Sequence, residues 1–180
     1  MVNQLVLLDS SVLINILATN CEGEILGIFP AGVGVCSAVA GEALYLRGEQ
    51  PAAPRTRISL DPLIERGLLQ EHGLQDENEK ALYVDLAADL DDGEAMTLAI
   101  AYERRIVAAT DDRKAQRIAR ERFGNDLPLL STAGIMNDWA RLATDEPEKV
   151  RGVLKRIEVV AQFRPPNDDP HRGWWATATA

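Results

Sequence analysis

The chain has 180 residues, 46% of them hydrophobic, and a formal net charge of −9 at pH 7. This length predicts one domain with ample material for a core. No apolar stretch approaches the roughly 20 residues of a membrane-spanning helix, so we expect no membrane association. The negative charge argues against a protein that binds nucleic acid through its overall electrostatic field, and leaves only local binding.

The N-terminal segment and the cysteines indicate the compartment. The run MVNQLVLLD has no basic segment before its apolar residues and ends in an acid, which is typical of a first buried strand and not of a signal peptide. Cys21 and Cys36 are the only cysteines, and they do not suggest a secreted disulfide scaffold. We therefore expect a cytoplasmic protein with reduced thiols.

The first third of the chain alternates between predicted strands and predicted helices. The short apolar run at 4–8 predicts a strand buried on both faces, and the next residues, 10–19, have helical spacing. The further predictions are a helical segment at 23–29, a strand at 33–37, a helix at 38–48 closed by Gly48, a loop at 50–55, and a short helix at 61–67 with Asp61 as N-cap.

The remainder continues this alternation. It predicts a weak strand at 68–74, helices at 76–90 and 93–105, a buried strand at 105–110, a helix at 113–124, a last strand at 127–131, and helices at 132–143 and 146–163. Alternating strands and helices favour an α/β fold with a mainly parallel sheet of about five strands, covered on both faces. We divide the chain into a domain at 1–143, a C-terminal helical extension at 144–163 and a flexible tail at 164–180, which is rich in Pro and Asp.

Four acidic residues are placed so that they can meet at one edge of the sheet. Asp9 and Asp111 end predicted strands, Glu42 lies early in a predicted helix, and Glu94 opens the helix before the second of those strands. In a parallel sheet, ligands bind beyond the carboxyl ends of the strands. Asp9, Glu94 and Asp111 also have a purely structural explanation as helix caps. Glu42 does not, because it stands among apolar residues, where a carboxylate is costly unless it is paired or binds a metal.

Carboxylates that meet in this way predict a metal site. They repel one another, and a hard divalent cation relieves that repulsion; all-oxygen ligation selects Mg²⁺ or Mn²⁺. The cysteines and histidines lack zinc-ligand spacing, and no phosphate-binding glycine loop is present. Such clusters commonly serve phosphodiester hydrolysis, in which the cation activates water and neutralises phosphate charge. The acids therefore indicate a metal-dependent nuclease.

Four motifs give the chain a family resemblance from about Val2 to about Ala143. They are LVLLDSSVLI around Asp9, VAGEALYL around Glu42, LDDGEAMTLAIA around Glu94, and IVAATDDRKAQRIA around Asp111. In this order and spacing they resemble those of PIN-domain proteins. The resemblance implies a compact three-layer α/β/α sandwich and a metal-dependent endoribonuclease, frequently the toxin of a toxin–antitoxin pair. It also implies an RNA substrate, an antitoxin-like protein inhibitor and a homodimer.

Carried over by position, the acidic quartet of the family falls on Asp9, Glu42, Glu94 and Asp111. Ser11 is the small polar residue that would orient a carboxylate or a bound water. The adjacent Asp112 remains an alternative to Asp111 as the fourth ligand.

Basic residues after the last acid are candidates for binding nucleic acid. Arg113, Arg117 and Arg120 share one face of a predicted helix, so Arg113 and Arg117 would contact phosphates beside the metal; a solvated helix face is the alternative. A catalytically quiet module that binds RNA or a protein is the second functional hypothesis.

Overall fold

The computed structural model describes residues 3–48, 54–143 and 146–180. In chain order its elements are β1 (Val6–Leu8), α1 (Ser10–Leu17), α2 (Glu22–Leu26), β2 (Val33–Cys36), α3 (Ser37–Gly41), β3 (Tyr45–Leu46), β4 (Thr56–Arg57), α4 (Asp61–Glu65), β5 (Gln70–His72), α5 (Glu77–Leu86), α6 (Asp92–Glu103), β6 (Val107–Ala109), α7 (Arg113–Phe123), β7 (Leu129–Leu130), α8 (Thr132–Ala143), α9 (Pro147–Arg156), a π-helical turn (Ile157–Ala161) and α10 (Arg172–Thr179).

The predicted parallel sheet is confirmed. Five strands pair in the order β5-β2-β1-β6-β7, and all four pairings are parallel. Strand β1 is central, and its three residues are completely buried, as expected for a strand covered on both faces. In parallel strands the carboxyl ends meet at one edge, so the residues after β1 and β6 lie side by side there.

Helices cover both faces of the sheet and form two apolar cores. One core joins the sheet to α1, α8 and α9 through residues such as Ile16, Trp139 and Leu154. The other joins it to α5, α6 and α7 through Leu86, Leu98 and Phe123. The architecture is thus the α/β fold with flanking helices that the sequence predicts. Within the described residues, no helix is long and apolar enough to cross a membrane.

The predicted helix at 38–48 is wrong beyond Gly41. Helix α3 ends there, and Glu42 adopts an extended conformation with φ −70° and ψ 150°. Tyr45 and Leu46 then form β3, which pairs antiparallel with β4 in a separate two-stranded sheet. Glu42 therefore lies between a helix and a strand instead of inside a helix.

The segment after residue 163 differs from the flexible tail that its composition predicts. Residues Arg172–Thr179 form α10, and Trp175 is only 2% exposed. The indole Nε1 of Trp175 donates to Glu158 Oε1 at 3.0 Å, and its ring packs edge-on against Phe163. Burial of Trp175 and its contact with the partly buried Phe163 hold the segment on the π-helical turn, despite the Pro- and Asp-rich run before it.

Candidate metal centre

Asp9 is a buried and rigidly held carboxylate at the end of the central strand. It caps α1, because its Oδ1 accepts from the Ser10 amide at 2.7 Å. Its Oδ2 accepts from the hydroxyls of Ser11 and Thr110, both at 3.0 Å. Burial raises the pKa of Asp9, and these hydrogen bonds partly offset that rise. Ser11 thus contacts the Asp9 carboxylate, and the orienting role that the resemblance implies for it stays a prediction.

Glu42 is exposed, and it reaches the same edge of the sheet from the end of α3. The expected burial of Glu42 among apolar residues is wrong, since the helix ends before it. Partial desolvation raises the pKa of its carboxyl, a hydrogen bond from the Ser10 side chain lowers it, and the charges of Asp9 and Asp91 raise it further. Ser10 therefore lies between the first two acids, a position that the motif alone does not indicate.

Glu94 and Asp91 come from the start of α6. Asp91 is the N-cap that its capping-box pattern predicts, and its Oδ1 accepts from the Glu94 amide at 2.9 Å. Burial raises the pKa of Glu94 to about 7, together with the negative charges of Asp91, Asp112 and Asp9. Glu94 thus experiences the charges of three other acids at neutral pH.

Gly93 allows Glu42 to approach α6. A Cβ atom at this position would lie 2.6 Å from Glu42 Oε1 and 3.1 Å from Val39 Cγ2. The backbone here is buried and is contacted by Cys36, whose Sγ lies 3.6 Å from the Gly93 carbonyl oxygen. Gly93 therefore leaves room for the Glu42 side chain, a requirement that the helical periodicity of the sequence does not indicate.

Asp111 and Asp112 have different environments. Asp111 Oδ1 accepts from the Thr132 amide at 2.9 Å, and its Oδ2 accepts from the Thr132 hydroxyl at 2.5 Å and the Asn15 amide group at 2.9 Å. Burial raises the pKa of Asp111, and among the described carboxylates Asp169 adds to the rise. Asp112 caps α7 by accepting from the Ala115 amide at 2.8 Å, and its charge is one of those that act on Glu94. Asp112 is thus the member of the pair whose charge acts on Glu94.

The sequence pattern indicates the positions of two residues that contact Asp111, namely Asn15 and Thr132. Asn15 follows Ser11 by four residues, so both lie on one face of α1. Thr132 lies two residues after the last strand, next to Ser131, at the same edge of the sheet as Asp9. Only the structure shows that both donate to Asp111 and that Thr110 joins Asp9 to the Asp112 backbone.

The two arginines predicted to bind phosphates both have acidic partners. Arg113 Nη2 lies 3.2 Å from Asp168 Oδ2, and Arg117 Nη1 lies 3.1 Å from Glu121 Oε2. All four side chains are more than half exposed, so these pairs are weak. Their role in nucleic-acid binding stays a prediction.

We use the term acidic cluster for Asp9, Glu42 and Glu94, whose pKa values are raised by burial and by negative neighbours, together with Asp91 and Asp112, whose charges contribute to that rise. In the parts of the chain that the structure describes, no three His, Cys, Asp or Glu side chains are already close enough to hold a metal ion. The cluster nevertheless fits a hard divalent cation chemically, since its donors are all oxygens and their like charges raise the pKa of Glu94.

The fold and this edge define a class of α/β proteins that gather acids beyond the carboxyl ends of a parallel sheet. The profile of the PIN domain family matches residues 5–167, and the chain belongs to that family. The match extends beyond residue 143, where the motif resemblance ends, and covers α9. Nucleases are common in this family, and its members typically bind divalent metals. Comparisons with the curated proteins and with the solved structures gave no significant match.

Proposed function

We propose that this protein is a Mg²⁺- or Mn²⁺-dependent endoribonuclease. The observation that carries the proposal is the placement of Asp9, Glu42, Glu94 and Asp112 at the carboxyl edge of the sheet, each at or near a helix cap. Burial and the charges of three other acids raise the pKa of Glu94 there to about 7. A cation at that edge would neutralise the carboxylates and replace the proton that Glu94 holds there. Membership of a family in which nucleases are common supports the reaction class.

The residues that would hold the cation are Asp9, Glu42, Glu94 and Asp112. When bound, Mg²⁺ or Mn²⁺ supplies Lewis acidity and positive charge at a scissile phosphate. Asp9 is oriented in advance by its three donors, which fix both carboxylate oxygens. Ser10 places Glu42 beside Asp9, and Asp91 fixes the helix turn that presents Glu94.

Asp111 acts as a positioning residue in this proposal. Its oxygens accept hydrogen bonds from Asn15 and Thr132, and it differs from Asp9 and Asp112 in that its charge is not among those that raise the pKa of Glu94. These bonds tie the end of β6 to α1 and to the start of α8, and so fix the backbone that carries Asp112. The assignment departs from the preference for Asp111 that the motif gave.

Cleavage of labelled single-stranded RNA with Mg²⁺, Mn²⁺ or chelator tests the proposal. We expect cleavage that needs the cation and that falls at least about 100-fold in Asp9→Asn, Glu94→Gln and Asp112→Asn, since loss of outer partners of metal ligands alone costs about 10- to 100-fold. Asp126→Asn is the matched control, because Asp126 is exposed and lines a pocket with Gln4 and Arg105, away from the cluster. Undiminished cleavage by Asp9→Asn, with the fold intact by circular dichroism, would refute the proposal.

A second candidate is a catalytically quiet module that binds RNA or a protein partner. It is favoured by one observation, that no ready-made group of three metal ligands exists among the described residues. Calorimetric titration with Mn²⁺ separates the two candidates. Saturable binding lost in Glu94→Gln supports the nuclease, and no heat of binding up to millimolar Mn²⁺ supports the quiet module.

A further inference from the structure

The hairpin of β3 and β4 has one apolar face and one polar face. Tyr45 pairs with Arg57 and Leu46 with Thr56, and directly paired residues project to the same side. Leu44, Leu46 and Ile58 pack against the main core, so their side of the hairpin faces inward. The two-residue alternation places four side chains on the opposite, exposed side: Tyr45, Arg47, Arg55 and Arg57.

The arginines on this exposed side have no acidic partner in the part of the chain that the structure describes. Residues 44–48 and 54–58 contain these three arginines and no acid, and Glu49, in the segment that joins them, lies outside the described residues. Among the described residues, no carboxylate lies within ion-pair distance of Arg47, Arg55 or Arg57, unlike Arg113 and Arg117. In a chain with a net charge of −9, this is a local positive surface that the overall charge conceals.

A groove connects this surface to the acidic cluster. It has a volume of about 470 Å³, and its lining includes Arg57 from the hairpin, Glu42 from the cluster, and Ser59 and Ile64 between them. Asp61 and Glu71 also line it. Arg57 faces three acids in this lining, Glu42, Asp61 and Glu71, so the groove itself does not attract phosphate. Phosphates bound on the exposed side of the hairpin would lie beside the groove, next to Glu42.

We propose that the exposed side of the β3–β4 hairpin, formed by Tyr45, Arg47, Arg55 and Arg57, binds single-stranded RNA beside the acidic cluster. The identification of the ligand as RNA rests on the proposed function. Arginine guanidinium groups match phosphate geometry, and an aromatic ring between them provides a surface on which a base stacks. Tyr45 is 45% exposed, so its ring is accessible to a stacking base. An acidic peptide would engage the arginines but would not need this ring.

Fluorescence anisotropy with a labelled single-stranded RNA of roughly 12 nucleotides, in chelator, tests the proposal on the full chain. We expect Arg47→Ala/Arg55→Ala/Arg57→Ala to weaken binding roughly 10- to 100-fold at about 0.1 M salt, and to reduce the salt dependence of log K by about 2. Tyr45→Ala should weaken binding about tenfold while Tyr45→Phe keeps it, because the ring and not the hydroxyl stacks.

The matched control removes the same charge elsewhere. In Arg122→Ala/Arg141→Ala/Arg151→Ala each arginine has a carboxylate partner, respectively Asp85, Asp138 and Glu148. This variant should bind within about threefold of wild type, since its arginines lie on α7, α8 and α9, outside the hairpin.

Three results would overturn the proposal. They are equal weakening in both triple variants, an unchanged salt dependence in the hairpin variant, and binding of a polyglutamate peptide to the hairpin in place of RNA. Chelator removes cation-dependent cleavage from the measurement, so a failure of the proposed function would not imitate a failure of this surface.

Discussion

A Cβ atom on Gly93 would lie 2.6 Å from the Glu42 carboxylate, which is the flexible end of its side chain. Gly93→Ala should therefore displace Glu42 from the acidic cluster while leaving α6 intact. Alanine in a helix is favoured over glycine by about 1 kcal/mol, and we expect this gain to offset the tight contact with Val39. The expected outcome is stability within about 1 kcal/mol of wild type by urea unfolding, with Mn²⁺ affinity about tenfold lower by calorimetry.

Gly152→Ala is the matched control for this change. Gly152 also lies in a helix, α9, and a Cβ there meets no atom within 4 Å. It should gain stability of up to about 1 kcal/mol and leave Mn²⁺ affinity unchanged. Unaltered Mn²⁺ affinity in Gly93→Ala would show that Glu42 is not a ligand.

The neighbouring acids Asp111 and Asp112 should respond differently to removal of their charge. In Asp111→Asn one acceptor oxygen becomes a donor facing Thr132 or Asn15, and an unsatisfied buried group costs about 1–3 kcal/mol. Asp112→Asn keeps a good N-cap for α7 but removes the charge that acts on Glu94. We expect the first variant to lose mainly stability by urea unfolding, and the second mainly Mn²⁺ binding. The reverse pattern would make Asp111 the metal ligand.

At the scale of elements, a buried ion pair holds the C-terminal end of α6 to α5 and β5. The Arg104 guanidinium makes two contacts with Glu79, at 2.7 and 3.0 Å, and donates to the Gly73 carbonyl at 2.7 Å. Glu79 is 2% exposed, and the hydrogen bond from Arg104 lowers its pKa. His72, which has no evident partner in the sequence, lies 3.3 Å from Arg104 through its Nδ1. Together these contacts fix the helix whose other end presents Glu94.

Glu79→Gln leaves the Arg104 charge without its partner. We expect a loss of about 2–4 kcal/mol in the free energy of unfolding, because breaking a largely buried pair exceeds the cost of losing a surface contact. Glu77→Gln is the control on the same helix, since Glu77 is 89% exposed in its pair with Lys80 and should change stability by less than about 0.5 kcal/mol. Equal effects of the two changes in urea unfolding would show that the buried pair stabilises the fold no more than the exposed pair does.

The elements that sequence patterns predicted well are those with long or fully apolar signals. The five strands of the main sheet and helices such as α6 and α7 are confirmed, because apolar runs and helical spacing directly reflect burial. The hairpin was missed because strands of two residues carry no periodicity. The order of α10 was missed because it depends on where Trp175 packs, which is a tertiary contact. The position of Asp9 follows from the end of a predicted strand, and that of Glu94 from the start of a predicted helix. The donors to Asp111 can be identified only from the three-dimensional structure.

At the scale of the whole molecule, the parallel sheet brings together acids from four separate parts of the chain. Asp9, Glu42, Glu94 and Asp112 follow β1, α3, the start of α6 and β6. Each is held by a local device, such as a cap or a hydroxyl, so the fold itself maintains their like charges in proximity. In clusters of this kind the like charges repel one another, and a bound cation relieves that repulsion.

Burial of these carboxyls, together with this repulsion, predicts how stability depends on pH and metal. The pKa values of Asp9, Glu42, Glu94 and Asp111 are all raised in the folded state, that of Glu94 to about 7. A raised carboxyl pKa means that the folded state binds more protons, so the stabilisation is fully present below the unfolded pKa, which is about 4 for these groups. It is then lost as the pH rises through the folded pKa. In chelator, the melting temperature should therefore fall between about pH 5 and pH 8.

Mn²⁺ should reverse this loss, because it binds the ionised carboxylates and competes with protons. The expected result in thermal unfolding is a Mn²⁺-induced rise in melting temperature that is small at about pH 5 and large at about pH 8. Glu94→Gln cannot ionise at this position, so it should flatten the pH dependence in chelator and reduce the Mn²⁺ effect at high pH. Two results would contradict this prediction: an equal effect of Mn²⁺ at both pH values, and the same response in Glu94→Gln and Asp126→Asn. Either would show that the raised pKa of Glu94 is unrelated to metal binding and that the carboxylates do not share a cation.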